Sequence, residues 1–217
     1  MVLRILCLHG YRQNSTTFRE KTGAFRKFIK KYAELIYIDA PHIIDVSTEG
    51  VSDPRSWWIT DQKSNTFSSK EIVELCSGFE ESCQFIESVL SQQGTFDGIL
   101  GFSQGATMAA LFIGRQQRKN AMDPDCSNVT ELKFAILIAG FKSLCCMHDI
   151  YQNTTINLSS LHIFGETDQV IANERSLELA EVFDENTRQV LMHNGGHFVP
   201  SAATCRGSVD VFLQQFC

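Results

Sequence analysis

Six short apolar runs punctuate the chain, near residues 3–8, 34–39, 96–101, 134–139, 160–164 and 187–192. Each is bounded by Gly, Pro, Asn or Asp, or by a charged segment. Their hydrophobicity is nearly continuous instead of alternating, as in strands covered on both faces of a parallel sheet. Between them, apolar residues recur at helical spacing and predict helices near 18–32, 71–93, 104–119, 172–184 and 204–216. The first helix carries a stripe of Phe18, Phe25, Phe28 and Ile29. The second carries Ile72, Leu75, Phe79, Phe85, Ile86, Val89 and Leu90. This alternation predicts an α/β architecture, a doubly wound, mostly parallel sheet of about six strands flanked by helices.

One stretch breaks the pattern. Residues 41–70 are long and weakly periodic, and a connection of this length in a compact domain is usually functional or disordered. Both tryptophans, Trp57 and Trp58, sit in it side by side, which argues against disorder and suggests a lid-like connection. The 217 residues suit one domain, residues 1–217, with a sizeable core.

Charge and composition narrow the partners. The net charge is −6 and Lys and Arg form no long runs, which argues against a nucleic-acid or anionic-membrane surface. The longest clean apolar stretch, Phe134 to Phe141, is too short to span a bilayer. The N-terminus reads as a first core strand, not as a signal peptide. The 8 cysteines include an adjacent pair, Cys145 and Cys146, but no Cys-x-x-Cys, and read as reduced thiols of a cytoplasmic chain. No feature of the sequence specifies an oligomer.

The candidate chemistry begins at Gly101-Phe102-Ser103-Gln104-Gly105, a Gly-x-Ser-x-Gly turn between an apolar run and a helical stretch. Such a strand–turn–helix lifts a serine above the sheet edge as a nucleophile, and small flanking residues avoid a clash. A serine hydroxyl needs an imidazole to take its proton and an acid to orient the imidazole. In the chain order of α/β-hydrolases, the acid and then the histidine follow the serine. Leu161 to Asp168 reads as a strand ending in a turn with two acids, and Val190 to His197 as a strand ending in a Gly-rich loop. Asp168, followed by Val170-Ile171 as an anchor, is the expected acid, and Glu166 a solvated turn residue. His197 is the expected base and His193 a residue that shapes the loop by hydrogen bonding. His162 is expected in the core, and His42 and His148 on the surface. An oxyanion hole needs two N–H groups, expected from Gln104 and from Tyr11 after the His9-Gly10 pair. Trp57, Trp58, Phe141 and Phe198 are candidate walls of an apolar acyl pocket. No metal-ligand cluster or nucleotide-binding loop is visible, so no metal and no cofactor are expected.

The chain resembles the FSH-type serine hydrolases. The resemblance rests on Leu6-Cys7-Leu8-His9-Gly10-Tyr11-Arg12-Gln13, Phe18 to Ala24, Ala40-Pro41-His42, Trp57-Trp58, Phe96 to Ala106, and Gly195-Gly196-His197-Phe198-Val199-Pro200. It covers most of the chain. It implies a cytoplasmic (or also nuclear) carboxylesterase acting on small-molecule alkyl esters, with Ser103, Asp168 and His197 as triad. Residues 41–70 depart most from the family pattern outside the tryptophan pair, so substrate preference transfers least. The same triad also cleaves acyl thioesters, and the fold can serve as a binding module with little turnover.

Overall fold

The computed structural model of the protein describes residues 2–45, 51–123 and 132–217. Six parallel strands form its sheet: β1 (Leu3–Leu8), β2 (Ala33–Ile38), β5 (Gly98–Phe102), β6 (Phe134–Ile138), β7 (Ser159–Gly165) and β8 (Arg188–His193). Their order is β2-β1-β5-β6-β7-β8. A two-residue antiparallel pair, β3 (His42–Ile43) and β4 (Arg55–Ser56), stands apart from the sheet. The helices are α1 (Ser15–Lys21), α2 (Gly23–Ile29), α3 (Phe79–Gln92), α4 (Gln104–Met122), α5 (Asp149–Gln152), α6 (Asn173–Ala180) and α7 (Ala202–Gln214).

The strand side chains divide by parity, because successive residues of a strand face opposite sides. Leu3, Ile5, Cys7, Leu100, Phe102, Phe134, Ile136 and Ile138 face a core shared with α1, α2 and α7. Leu6, Leu8, Ile99, Ala135 and Leu137 face a second core shared with α3, α4 and α6. Both faces are covered, which is why the strands read as unbroken apolar runs. The chain leaves β1 for β2 on one side and returns to β5 on the other. The ends of β1 and β5 therefore flank a topological switch point, where open α/β sheets form their sites.

Three expectations need correction. The helix expected over 18–32 is two helices with a bend at Thr22. The Thr22 hydroxyl lies 2.9 Å from Phe18 O and 2.6 Å from Tyr37 Oη on β2, tying the bend to the sheet. The helix expected over 71–93 begins only at Phe79. Gly78 before it has φ +86°, and a side chain there would overlap the His42 ring. The residues before Gly78 are held by backbone bonds to other loops, Ile59 N–H to Ser77 O at 2.9 Å and Val73 N–H to Leu144 O at 3.2 Å. Ile72 and Leu75, counted above as part of a core stripe, are 78% and 69% exposed. Finally, His148 is buried, not on the surface. Its Nδ1 lies 2.8 Å from Ser143 Oγ, and burial pushes its pKa down to about 4. His42 is half-buried, 2.8 Å from Gly78 O.

Candidate active site

Ser103 stands between the end of β5 and the start of α4 at φ +53°, ψ −119°. Such a conformation costs a non-glycine residue on the order of 1–3 kcal/mol and persists only where its surroundings impose it. Here Ser103 N–H donates to Ile138 O at 2.8 Å, and Ser103 O accepts from Ala106 N–H at 3.0 Å and Thr107 N–H at 3.1 Å. The flanking glycines allow the close approach. A Cβ on Gly101 would overlap the backbone of Gly105 and Ala106, and one on Gly105 would overlap the Leu8 and His9 carbonyls.

The turns after β7 and β8 deliver an acid and a histidine to this serine. His197 Nε2 lies 3.0 Å from Ser103 Oγ, and His197 Nδ1 lies 2.7 Å from Asp168 Oδ2. The other Asp168 oxygen accepts from Val170 N–H at 2.8 Å and Ile171 N–H at 2.9 Å. Burial by itself would raise the Asp168 pKa, but the His197 hydrogen bond and these two N–H groups hold it below its ordinary value. The two turns are also bonded to each other. Glu166 N–H donates to His193 O at 2.7 Å, and Thr167 N–H to Gly195 O at 3.1 Å. His193 Nδ1 accepts from Gly195 N–H at 3.1 Å, while Glu166 points to solvent. The acid and histidine loops thus form one backbone unit, which fixes the spacing of the side chains they carry.

The loop after β1 is aimed by a histidine. His9 Nε2 accepts from Ala40 N–H at 3.0 Å, so the proton of the neutral ring sits on Nδ1 and is donated to Gly10 O at 2.8 Å. Gly10 O also accepts from Gln13 N–H at 3.1 Å. In a trans peptide the N–H points opposite to the carbonyl, so pinning Gly10 O turns Tyr11 N–H to the other side. Burial pushes the His9 pKa down to about 4, keeping the ring neutral at pH 7. Among the described residues neither Tyr11 N–H nor Gln104 N–H is spent on a protein acceptor. The side chain of Gln104 is a feature the sequence did not signal. Its Oε1 accepts from Trp57 N–H at 3.0 Å, and its Nε2 donates to Trp58 O at 2.9 Å.

A cavity of about 680 Å³ opens over Ser103 and His197. Phe141 and Phe198 line it, together with Phe67, Phe102, Val51 and Ile171. Trp57 and Trp58 do not line it, which corrects their expected place. Both are fully buried behind it, with Trp57 Nε1–H donating to His9 O at 2.8 Å and Trp58 packed edge-on against Phe67 at 5.1 Å. The polar backbone of a Trp-Trp pair needs partners once buried; Gln104 takes Trp57 N–H and Trp58 O, and the Ser82 and Ser56 hydroxyls donate to Trp57 O and Trp58 O. Phe67 takes the cavity-facing position instead. A lone phenylalanine among polar residues gave no periodic signal.

A doubly wound parallel sheet with a strained serine turn at its switch point is that of an α/β-hydrolase. The fold matches esterase PE8 with a TM-score of 0.65 at 18% identity, covering 99% of this chain and 93% of that one. It matches the acyl-protein thioesterase 2 of Zea mays with a TM-score of 0.62 at 17% identity, covering 98% and 94%. In sequence, the chain is 43% identical to Esterase OVCA2 of Danio rerio over 229 aligned positions, spanning 99% of this chain and 97% of that protein. The family model described as serine hydrolase (FSH1) matches residues 1–209, and the chain belongs to that serine hydrolase family. No helix among the described residues is long and apolar enough to cross a membrane.

Proposed function

We propose that the protein is a carboxylesterase that hydrolyses alkyl esters of medium- to long-chain acids through a Ser103–His197–Asp168 triad in a single α/β-hydrolase domain. His197 takes the Ser103 proton as Oγ attacks the acyl carbonyl. Asp168 holds the imidazole in the tautomer with its proton on Nδ1 and stabilises the imidazolium that forms. The N–H groups of Tyr11 and Gln104 receive the oxyanion. His197 then protonates the departing alcohol, and a water activated by the same imidazole cleaves the acyl-enzyme. The observation that carries this reading is the unbroken relay of 3.0 Å and 2.7 Å from Ser103 through His197 to Asp168. The aromatic cavity beside Ser103, at about 680 Å³, is of the size that encloses small-molecule ligands and favours an apolar acyl chain. The free cysteines suit a reducing, cytoplasmic setting.

Purified protein should hydrolyse a series of simple esters from acetyl to palmitoyl with an optimum set by cavity depth. Parallel thioesters of the same chain lengths should be slower. Ser103→Ala should lower turnover about a million-fold and abolish labelling by a fluorophosphonate, with an unchanged circular dichroism spectrum. Undiminished hydrolysis by Ser103→Ala would sink the assignment.

A further inference from the structure

We propose that Cys76, Cys145 and His148 form a binding site for one thiophilic d10 metal ion, Zn²⁺ or Cu⁺, separate from the hydrolytic centre. One ligand atom from each, the two sulfurs and a ring nitrogen, lie within 4.8 Å of one another. The Cys76 sulfur is 3.3 Å from His148 Nε2. A metal with bonds of about 2.3 Å to sulfur and 2.0 Å to nitrogen, in tetrahedral geometry, sets such ligands roughly 3.5–3.8 Å apart, so small side-chain rotations complete the set.

The backbone holds the site together without help from a ligand. Cys76 lies in the segment before α3; Cys145 lies in the loop after β6, and His148 ends the 3₁₀ turn Cys146–His148 that follows it. Cys146 N–H donates to Val73 O at 2.9 Å, joining the two. Ser143 Oγ lies 2.8 Å from His148 Nδ1. In the tautomer whose Nδ1–H donates to this hydroxyl, the Nε2 lone pair faces Cys76, as a metal-binding histidine requires. Phe79, with its ring centroid 4.3 Å from that of His148, and Trp58 at 5.5 Å wall the imidazole off. A thioether completes the soft surroundings, since Cys76 N–H donates to Met147 Sδ at 3.4 Å. Two sulfurs and an imidazole suit Zn²⁺ and Cu⁺ and disfavour Mg²⁺ and Ca²⁺. Binding releases the two thiol protons to solvent as the metal–thiolate bonds form. The ion would tie the end of the 41–78 connection to the β6 loop, one aromatic layer behind the cavity.

Reduced, metal-free protein is titrated with Zn²⁺, and anaerobically with Cu⁺, each against a chromophoric chelator. Co²⁺ serves as the spectroscopic probe. One equivalent should bind, Co²⁺ should give a thiolate charge-transfer band, and the preferred ion should raise the thermal midpoint by about 5 °C at hundred-fold excess over Kd. The tighter of the two titrations identifies the ion. Cys76→Ser and Cys145→Ser should each weaken binding at least a hundred-fold, and Cys146→Ser should leave it unchanged. The wild-type titration stands even where a buried variant fails to fold. The proposal is overturned if wild type binds neither ion stoichiometrically. It is also overturned if binding survives the paired Cys76→Ser and Cys145→Ser changes, or if the thiols only form a disulfide with oxidised glutathione.

Discussion

The serine turn and the connection from Pro41 to Gly78 meet at one side chain, Gln104, yet they are held by different physics. The turn is fixed by backbone alone: a strained φ at Ser103, two glycines without room for a Cβ, and hydrogen bonds to the next strand. Among its described residues the connection has almost no regular structure beyond β3 and β4. Besides a few backbone bonds such as Ile59 N–H to Ser77 O, it is fixed by side chains: Gln104 on Trp57 and Trp58, Ser82 Oγ on Trp57 O at 2.6 Å, and its own Arg55, a guanidinium nitrogen of which lies 3.0 Å from Ala40 O just before it. Regularity and order are therefore separate properties. The least regular stretch buries the two largest side chains in the chain.

The largest expected effect falls on the backbone-fixed side of this comparison. In Asp168→Asn, the amide carbonyl can keep the Val170 and Ile171 N–H groups, which leaves its NH2 facing His197 Nδ1. The imidazole proton is then forced onto Nε2, where it cannot accept from Ser103. Turnover of a chromogenic ester should fall about 10⁴-fold, with little change in thermal midpoint. A fall of less than ten-fold would mean that the relay does not orient the base.

Next come two aromatic truncations that test which ring faces the cavity. Trp58→Ala removes a fully buried side chain and should cost about 3–5 kcal/mol in urea denaturation. Phe67→Ala opens the cavity wall and should cost less stability, while raising KM for long-chain esters more than for acetyl esters. The reverse pattern would return Trp58 to the acyl pocket.

The difference in legibility follows from the same physics. The strands were readable to within about two residues because burial on both sheet faces leaves a continuous apolar run. Ser103, Asp168 and His197 were readable as candidates because each follows a strand end in a chain order the fold requires. What was lost depended on tertiary contacts. The start of α3 was misread because Ile72 and Leu75 fall in helical register although that segment is drawn into backbone pairing with the β6 loop. His148 has no local signature of burial, since Ser143 and the Phe79 ring reach it through the fold. Cys76 and Cys145 lie 69 residues apart in sequence (145 minus 76) and become neighbours only through the Val73 bridge.

Where the two regions meet, Gln104→Ala should reveal how strongly one supports the other. It strands the buried Trp57 N–H, while Trp58 O keeps the Ser56 hydroxyl and the Gln104 backbone N–H stays in place. Leaving one such group unpaired costs about 1–3 kcal/mol, measurable as a shift in urea midpoint. Turnover should fall far less than in Asp168→Asn. An equal collapse of turnover would show that the connection, and not only the turn, holds the reacting geometry.

A further effect is on acid stability, and it separates the histidines from the carboxylate. Burial pushes His9 and His148 down to about 4 and His162 to about 3, from an ordinary 6.5. Between about 4 and 6.5 the unfolded chain binds protons that the native state refuses, so stability rises with pH across this window and is lost as pH falls from 6.5. Each histidine contributes a slope of up to about 1.4 kcal/mol per pH unit. Asp168, held below its ordinary 3.8, adds its own loss only at lower pH, because the unfolded carboxylate stays ionised above that value. Urea denaturation at pH 7, 6 and 5 should therefore show a decline before Asp168 is titrated. His162→Gln, which removes one of four buried rings (His193 is the fourth, also lowered by burial), should flatten the slope in part. If the slope is unchanged in that variant, His162 takes up its proton in the native state at the same pH as in the unfolded chain, and burial beside Ser160 Oγ at 3.0 Å does not exclude it.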